Sequence, residues 1–160
     1  TVGVILAKRL GYDFIDTDLL IIKKAGKTLP EILEDKGIGG FLEIENLVGA
    51  GLRCERSVIA TGGSMALCKE AMENLKSRGI TVWLDTELEA LKRRLMSFSN
   101  RGIAAEPGQT VADIYEARRP FYEKYADIRI KCAGDTESVV GQVINALAES
   151  GAIAAPAPAT

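Results

Sequence analysis

The chain has 160 residues, a formal net charge of −2 at pH 7, 47% hydrophobic residues and 26% charged residues. This composition fits one globular domain and excludes a collagen-like or disordered chain. The balanced charge predicts no nucleic-acid or membrane partner, and the apolar runs are shorter than the roughly 18 to 20 residues that a bilayer requires. The sequence lacks histidine, which excludes a Ser-His-Asp or Cys-His hydrolase. Three widely spaced cysteines without a CxxC pair indicate a reducing, cytoplasmic location.

Helical and strand-like segments alternate along the chain. In chain order, the hydrophobic pattern predicts a helix at 2–10, a strand at 14–16, helices at 19–25, 30–35 and 41–52, a strand at 57–61, a helix at 67–77, a strand at 80–84, helices at 87–96 and 111–125, a strand at 127–131 and a helix at 137–148. Gly11 and Gly37 are predicted to end helices, and Asp18 is a candidate N-cap residue. Apolar strands separated by helices indicate an α/β fold with a mostly parallel sheet covered on both faces.

Two segments lack this periodicity. Residues 97–109 contain two glycines and a proline and are predicted to form an exposed loop. Residues 151–160 are rich in alanine and proline and are predicted to be a disordered tail. Residues 1–150 therefore form the predicted single domain.

The predicted strand ends carry the residues of chemical interest. Asp16 and Asp18 lie two positions apart, and two such carboxylates can hold Mg²⁺ through water and accept a proton from a hydroxyl. A helix N-cap followed by a solvated turn explains the pair equally well. Gly62 and Gly63 follow the next strand and allow close approach of a ligand to the backbone. A plain strand-to-helix turn is the alternative.

Several arginines follow in the second half of the chain. Arg94 precedes the predicted loop and Arg101 lies within it. Arg118 and Arg119 lie on the next predicted helix. Phosphoryl transfer depends on positioning and charge neutralisation, so converging arginines suit it. Arg101 is the single basic residue within 97–109, and a lid can deliver such a residue to phosphates on closing. Ordinary solvated helix faces explain the other arginines.

Taken together, these segments resemble the shikimate kinase family of P-loop small-molecule kinases. The resemblance runs collinearly from Thr1 to about Leu147 and is carried by TVGVILAKRLGYDFIDTD, IATGG, RRL and ARRPFYEKYAD. It implies a three-layer α/β/α fold with a lid at 97–109. It also implies ATP-dependent phosphorylation of shikimate to shikimate 3-phosphate, a step of aromatic amino acid biosynthesis through chorismate. ATP and Mg²⁺ are then required, and a monomer is expected.

The resemblance assigns a role to each candidate residue. Asp16 is the residue on the Mg²⁺ side, and Asp18 binds substrate hydroxyls and is the candidate base. Gly62 and Gly63 approach the substrate. The assignments continue with arginines: Arg118 binds the substrate carboxylate, Arg94 packs on adenine, and Arg101 contacts the phosphates and stabilises the transferring group.

Three departures from the family pattern bear on function. The phosphate-binding loop and the strand before it are missing, so we expect an N-terminally truncated sequence, a sheet without its central strand, and a chain with little or no activity. Leu42 occupies the position of a carboxylate-binding arginine, and Ser64 replaces the third glycine of the glycine motif. A kinase for another small hydroxylated substrate is therefore one alternative, and a non-catalytic protein with a degenerate kinase fold is the other.

Overall fold

The computed structural model describes residues 1–96 and 103–154, and within these ranges helices and strands alternate. The elements are α1 (Val2–Leu10), β1 (Asp13–Asp16), α2 (Thr17–Ala25), α3 (Leu29–Gly51), β2 (Ser57–Ala60), a 3₁₀ turn (Met65–Leu67), α4 (Lys69–Arg78), β3 (Val82–Asp85), α5 (Leu88–Met96), α6 (Val111–Tyr125), β4 (Ile128–Lys131) and α7 (Thr136–Glu149). Every predicted strand is present, and every predicted helical segment is found in a helix. Part of the predicted loop and tail, residues 97–102 and 155–160, lies outside the described residues.

Glycine residues end or interrupt the helices at two predicted positions. Gly11 follows α1 with φ 64° and donates its N–H to the carbonyl groups of the last turn. Gly37 has φ 64° and ψ −175° and divides α3 into two straight parts. Glycine adopts positive φ without a Cβ penalty, which is why both breaks fall where the sequence predicts them.

The start of α2 differs from the prediction. Asp16, and not Asp18, is the N-cap residue, because Asp16 has extended backbone angles and its side chain accepts a hydrogen bond from the Asp18 N–H. The helix begins two residues earlier than expected, at Thr17. Asp18 therefore lies in the first helical turn. The predicted helix at 67–77 is also divided, since extended Cys68 separates the 3₁₀ turn from α4.

The strands form two parallel pairs. β1 pairs with β2 in the register Asp13↔Ser57 to Asp16↔Ala60, and β3 pairs with β4 in the register Val82↔Ile128 to Asp85↔Lys131. In the described part of the chain the two pairs are separate sheets. The parallel pairing confirms the α/β prediction. Phe14 and Leu84 remain 39% and 38% exposed.

Three apolar clusters hold the layers together. The first joins α1, β4 and α7 and contains Leu6, Ile130, Val139, Val140, Val143 and Leu147. The second joins α4 and α6 and contains Met65, Cys68, Ala71, Met72 and Tyr125. The third contains Ile21, Ile32, Phe41 and Ala104 and links α2 and α3 to the segment before α6. No helix in the described ranges is both long and apolar enough to cross a membrane.

Candidate active site

Two carboxylate groups meet beside the first glycine after β2. A Cβ atom placed on Gly62 would lie 3.1 Å from Asp18 Oδ1 and 3.1 Å from Glu45 Oε1. These side chains come from the first turn of α2 and the middle of α3. Parallel strands β1 and β2 end at the same edge, which brings Asp18 next to the glycine turn. The glycine thus leaves an opening into which both oxygens face.

A guanidinium group and a phenol lie beside the second glycine. A Cβ atom on Gly63 would lie 3.2 Å from Arg118 Nη1 and 3.0 Å from the Tyr122 hydroxyl oxygen. The Tyr122 hydroxyl donates a hydrogen bond of 2.8 Å to the Gly63 carbonyl oxygen. Arg118 and Tyr122 are one turn apart on α6 and therefore share a face. Burial raises the pKa of Tyr122, against the opposing effect of the Arg118 charge, and the phenol stays protonated at neutral pH.

Arg118 is held from a second direction. The residue is 9% exposed, and its Nη2 donates a hydrogen bond to the Ala104 carbonyl oxygen. Ala104 itself packs in the third apolar cluster. A guanidinium group has five N–H donors, so this contact leaves donors for an anion that approaches Gly63. A buried cation of this kind favours an anionic ligand.

Glu45 is a functional candidate that the sequence analysis did not single out. The residue is 0% exposed, and burial raises the pKa of its carboxyl group to about 7. The Ser64 hydroxyl and the Arg118 charge oppose that rise, whereas the Asp18 charge adds to it. The signal in the sequence is its spacing: Phe41, Glu45 and Gly49 recur every four residues on the buried face of α3. A glutamate on a buried helix face is unusual, because a buried carboxyl group normally needs a hydrogen-bond or charge partner.

Cys68 lies on the other side of Glu45 and has a structural role. Its thiol is 3.9 Å from Glu45 Oε2 and 3.5 Å from the Leu42 carbonyl oxygen. Burial and the nearby Glu45 charge raise the pKa of the Cys68 thiol to about 12. Because the thiolate is the nucleophilic form, this cysteine is a weak donor in the site wall and not a nucleophile.

The two changed positions both adjoin this site. Ser64 is 5% exposed and is the residue whose hydroxyl lowers the pKa of Glu45. Leu42 is half-buried and packs against the second and third apolar clusters. Among the described residues, the guanidinium group beside the glycine turn comes from Arg118, and position 42 carries a hydrocarbon side chain.

The remaining predicted residues are Asp16, Arg94, Arg119 and Arg101. Asp16 is half-buried at the end of β1 and is engaged through Oδ1 as the N-cap. Arg94 is exposed on α5, and its charge lowers the pKa of the Cys132 thiol just after β4, where burial raises it. Arg119 forms an ion pair with Glu123, as expected for a solvated helix face. Arg101 lies outside the described residues.

The structure therefore brings Asp18, Gly62, Gly63 and Arg118 together around one turn. Carboxylate and guanidinium groups at the carboxyl ends of parallel strands, within helical layers, suit the transfer of a phosphoryl group to a small molecule.

Comparison with known proteins supports and narrows this class. The sequence model of the shikimate kinase family matches residues 1–148. The shikimate kinase of Persephonella marina is 32% identical over 146 residues, covering 90% of this chain and 88% of the relative. That of Aquifex aeolicus is 34% identical over 148 residues, covering 92% and 88%. A solved shikimate kinase from Acinetobacter baumannii, in complex with shikimate, superposes with a TM-score of 0.85 at 31% identity, covering 93% of this chain and 86% of that one. The chain belongs to the shikimate kinase family.

Proposed function

We propose that this protein transfers the γ-phosphoryl group of ATP to a hydroxyl group of shikimate, giving shikimate 3-phosphate and ADP. The observation that carries the proposal is the meeting of the Asp18 carboxylate and the Arg118 guanidinium on either side of the Gly62–Gly63 turn. A base beside Gly62 and an anion-binding group beside the adjacent Gly63 suit a substrate that carries both a hydroxyl group and a carboxylate. Family membership and the shikimate-bound relative support the choice of substrate.

Asp18 is the proposed general base. Its carboxylate accepts the hydroxyl proton as the substrate oxygen forms a bond to the γ-phosphorus. The bond between that phosphorus and the β–γ bridging oxygen breaks, and ADP leaves. Asp18 lies in the first turn of α2, next to the N-cap residue Asp16 and Thr17.

Arg118 is the proposed partner of the substrate carboxylate. Its burial excludes competing water, and its Nη1 faces the Gly63 side of the turn. A charge-assisted hydrogen bond of this kind contributes roughly 1.5 to 3 kcal/mol. With leucine at position 42, Arg118 carries this task alone on the substrate side.

We assign the nucleotide and metal contacts to Asp16, Arg94 and Arg101. Asp16 fits a magnesium ion that is held mainly through water and phosphate, because it keeps one carboxylate oxygen beyond its N-cap contact. Among the described residues, no group of three or more acidic or cysteine side chains is arranged to hold a metal ion. Magnesium, when bound, neutralises phosphate charge. Arg94 is proposed to pack on adenine and Arg101 to contact the phosphates. We also propose a cytoplasmic monomer.

A coupled ADP-release assay with ATP and shikimate tests this proposal on the protein as its gene encodes it. Asp18→Asn removes the base and is expected to lower kcat by about 100-fold or more, within the range of general base catalysis. Asp13→Asn is the matched control, since Asp13 is exposed at the opposite end of β1. Equal activity of the two variants would exclude Asp18 as the base.

A kinase for a different small hydroxylated acid is the second candidate. It is favoured by Leu42 and Ser64, both of which change the substrate side of the site. Turnover of a panel of hydroxy acids with ATP separates the candidates: shikimate is expected to have the highest kcat/KM, and a higher value for another acid would select the second.

A further inference from the structure

A cleft of about 630 Å³ lies on the side of the molecule where β1 and β2 begin. Tyr12 and Arg56, the residues directly before these two strands, both line it. The candidate active site lies beyond the other ends of the same strands, so the cleft is a separate feature. Its volume falls within the roughly 300 to 1,000 Å³ that is typical of small-molecule binding sites.

Arg56 forms a cationic wall of the cleft. Its guanidinium carbon lies 5.1 Å from the centroid of the Tyr12 ring, a contact that restrains the side chain. Among the described residues, Arg56 is the single non-glycine residue with positive φ, at 44°, and its carbonyl oxygen accepts a hydrogen bond from the Asp13 N–H. Such a backbone conformation costs free energy and is characteristic of functional positions. The chain thus holds one guanidinium group at a set place on the cleft wall.

The positive charge of Arg56 has no acidic partner within the described ranges. The ion pairs formed there do not include it. Arg9, the other cation that lines the cleft, is paired with Glu137 on α7. The guanidinium N–H donors of Arg56 can therefore serve an anion that enters the cleft.

The floor of the cleft is hydrocarbon. Leu10 at the end of α1, Ile144 on α7 and Ile153 after that helix line it, and all three also pack against the first apolar cluster. This packing against the core keeps them in place. An apolar floor beside a single unpaired cation suits a ligand with a flat apolar body and one anionic group.

We propose that this cleft is a second ligand site, which binds a small aromatic carboxylate. The carboxylate accepts hydrogen bonds from the Arg56 guanidinium, whose fork of N–H groups matches the two carboxylate oxygens. The aromatic ring packs on Leu10 and Ile144 and removes their exposed surface from water. Because the cleft and the glycine turn lie at opposite ends of β1 and β2, this ligand does not compete with shikimate.

Titration of the full-length protein with benzoate, followed by the NMR shifts of backbone amides, tests the location of the site. Saturable shifts are expected at Tyr12, Arg56 and Asn145, which line the cleft, with the same affinity in the absence and presence of shikimate. Saturable shifts confined to Gly62 and Gly63 would mean that benzoate binds only the candidate active site, and the inference would be wrong. Shifts that do not saturate would also overturn it.

Variants at the cationic wall test the role of its charge. Arg56→Gln removes the charge and is expected to weaken benzoate binding by about 10-fold, as for a lost charge-assisted hydrogen bond. Arg56→Lys keeps the charge without the fork, and an intermediate loss is expected. Lys8→Gln, which removes an exposed charge of α1 outside the cleft lining, is the matched control and should bind benzoate as the wild type does. An equal loss in Arg56→Gln and Lys8→Gln would indicate general attraction of anions and refute the site.

Benzamide separates the charge contact from the ring contact. It has the same ring without the carboxylate, so the wild type should bind it about 10-fold more weakly than benzoate. Arg56→Gln should not weaken benzamide binding further, because the charge contact is already absent. An equal effect of Arg56→Gln on benzoate and benzamide would contradict the contact between Arg56 and the carboxylate.

Discussion

A methyl group at Gly62 should block the substrate without unfolding the protein. In Gly62→Ala the new Cβ lies 3.1 Å from Asp18 Oδ1 and from Glu45 Oε1, so both oxygens must move by a few tenths of an ångström. Gly62 does not have positive φ, so alanine keeps the backbone conformation. The expected cost in unfolding free energy is about 1 kcal/mol, at the low end for overpacking.

The effect on binding is larger because the methyl group fills the opening that the two oxygens share. Loss of the hydrogen bond between the substrate and the Asp18 carboxylate lowers affinity by about 10- to 100-fold. Calorimetric titration with shikimate, alongside a urea denaturation curve, measures both effects. Gly51→Ala is the matched control, since no atom lies within 4 Å of its Cβ position. Unchanged shikimate affinity in Gly62→Ala would refute the placement of substrate at this turn.

Two further predictions concern stability. A Cβ on Gly49 would lie 2.5 Å from the Ala71 Cβ, so Gly49→Ala should lower the free energy of unfolding in urea by about 1 to 3 kcal/mol. Gly39→Ala is the control, because open space surrounds its Cβ position and it should cost nothing. Equal effects of the two variants would contradict the close α3–α4 packing. Burial raises the pKa of Glu45 to about 7 in the folded protein, whereas the ordinary pKa of a glutamate is 4.5, so stability should fall as pH rises between these values. Glu45→Gln should remove this fall and raise the free energy of unfolding by up to about 3 kcal/mol above pH 7. Urea unfolding at pH 5 and pH 8 measures the difference. An equal fall in the variant would show that another group causes it.

The sequence allowed the elements and half of the site to be predicted for identifiable reasons. Helix ends at Gly11 and Gly37 follow from backbone sterics, and strands follow from short apolar runs bounded by glycine or aspartate. The rule that parallel strands present ligand-binding groups at their carboxyl ends correctly grouped Asp18 with the Gly62–Gly63 turn. Helix α6 was predicted with its observed bounds despite the internal Pro120.

The remaining features depend on contacts that local patterns do not encode. The choice between Asp16 and Asp18 as N-cap shifts the helix start by two residues, which is the usual uncertainty of boundaries. The Tyr122 bond to Gly63 and the Arg118 bond to Ala104 join segments distant in sequence. The burial of Glu45 is readable from its four-residue spacing with Phe41, but its unpaired oxygen is visible only in three dimensions.

The Arg118 guanidinium group lies beside Gly63 and also donates a hydrogen bond to the Ala104 carbonyl oxygen. Ala104 is fixed among apolar side chains of α2 and α3, so the guanidinium ties the loop preceding α6 to the helices that supply Asp18 and Glu45. An anion that binds the remaining donors of Arg118 also affects the Ala104 contact, and by thermodynamic linkage the Ala104 contact affects the affinity for the anion by the same free energy. The binding of an acidic ligand and the position of the loop before α6 are therefore thermodynamically coupled.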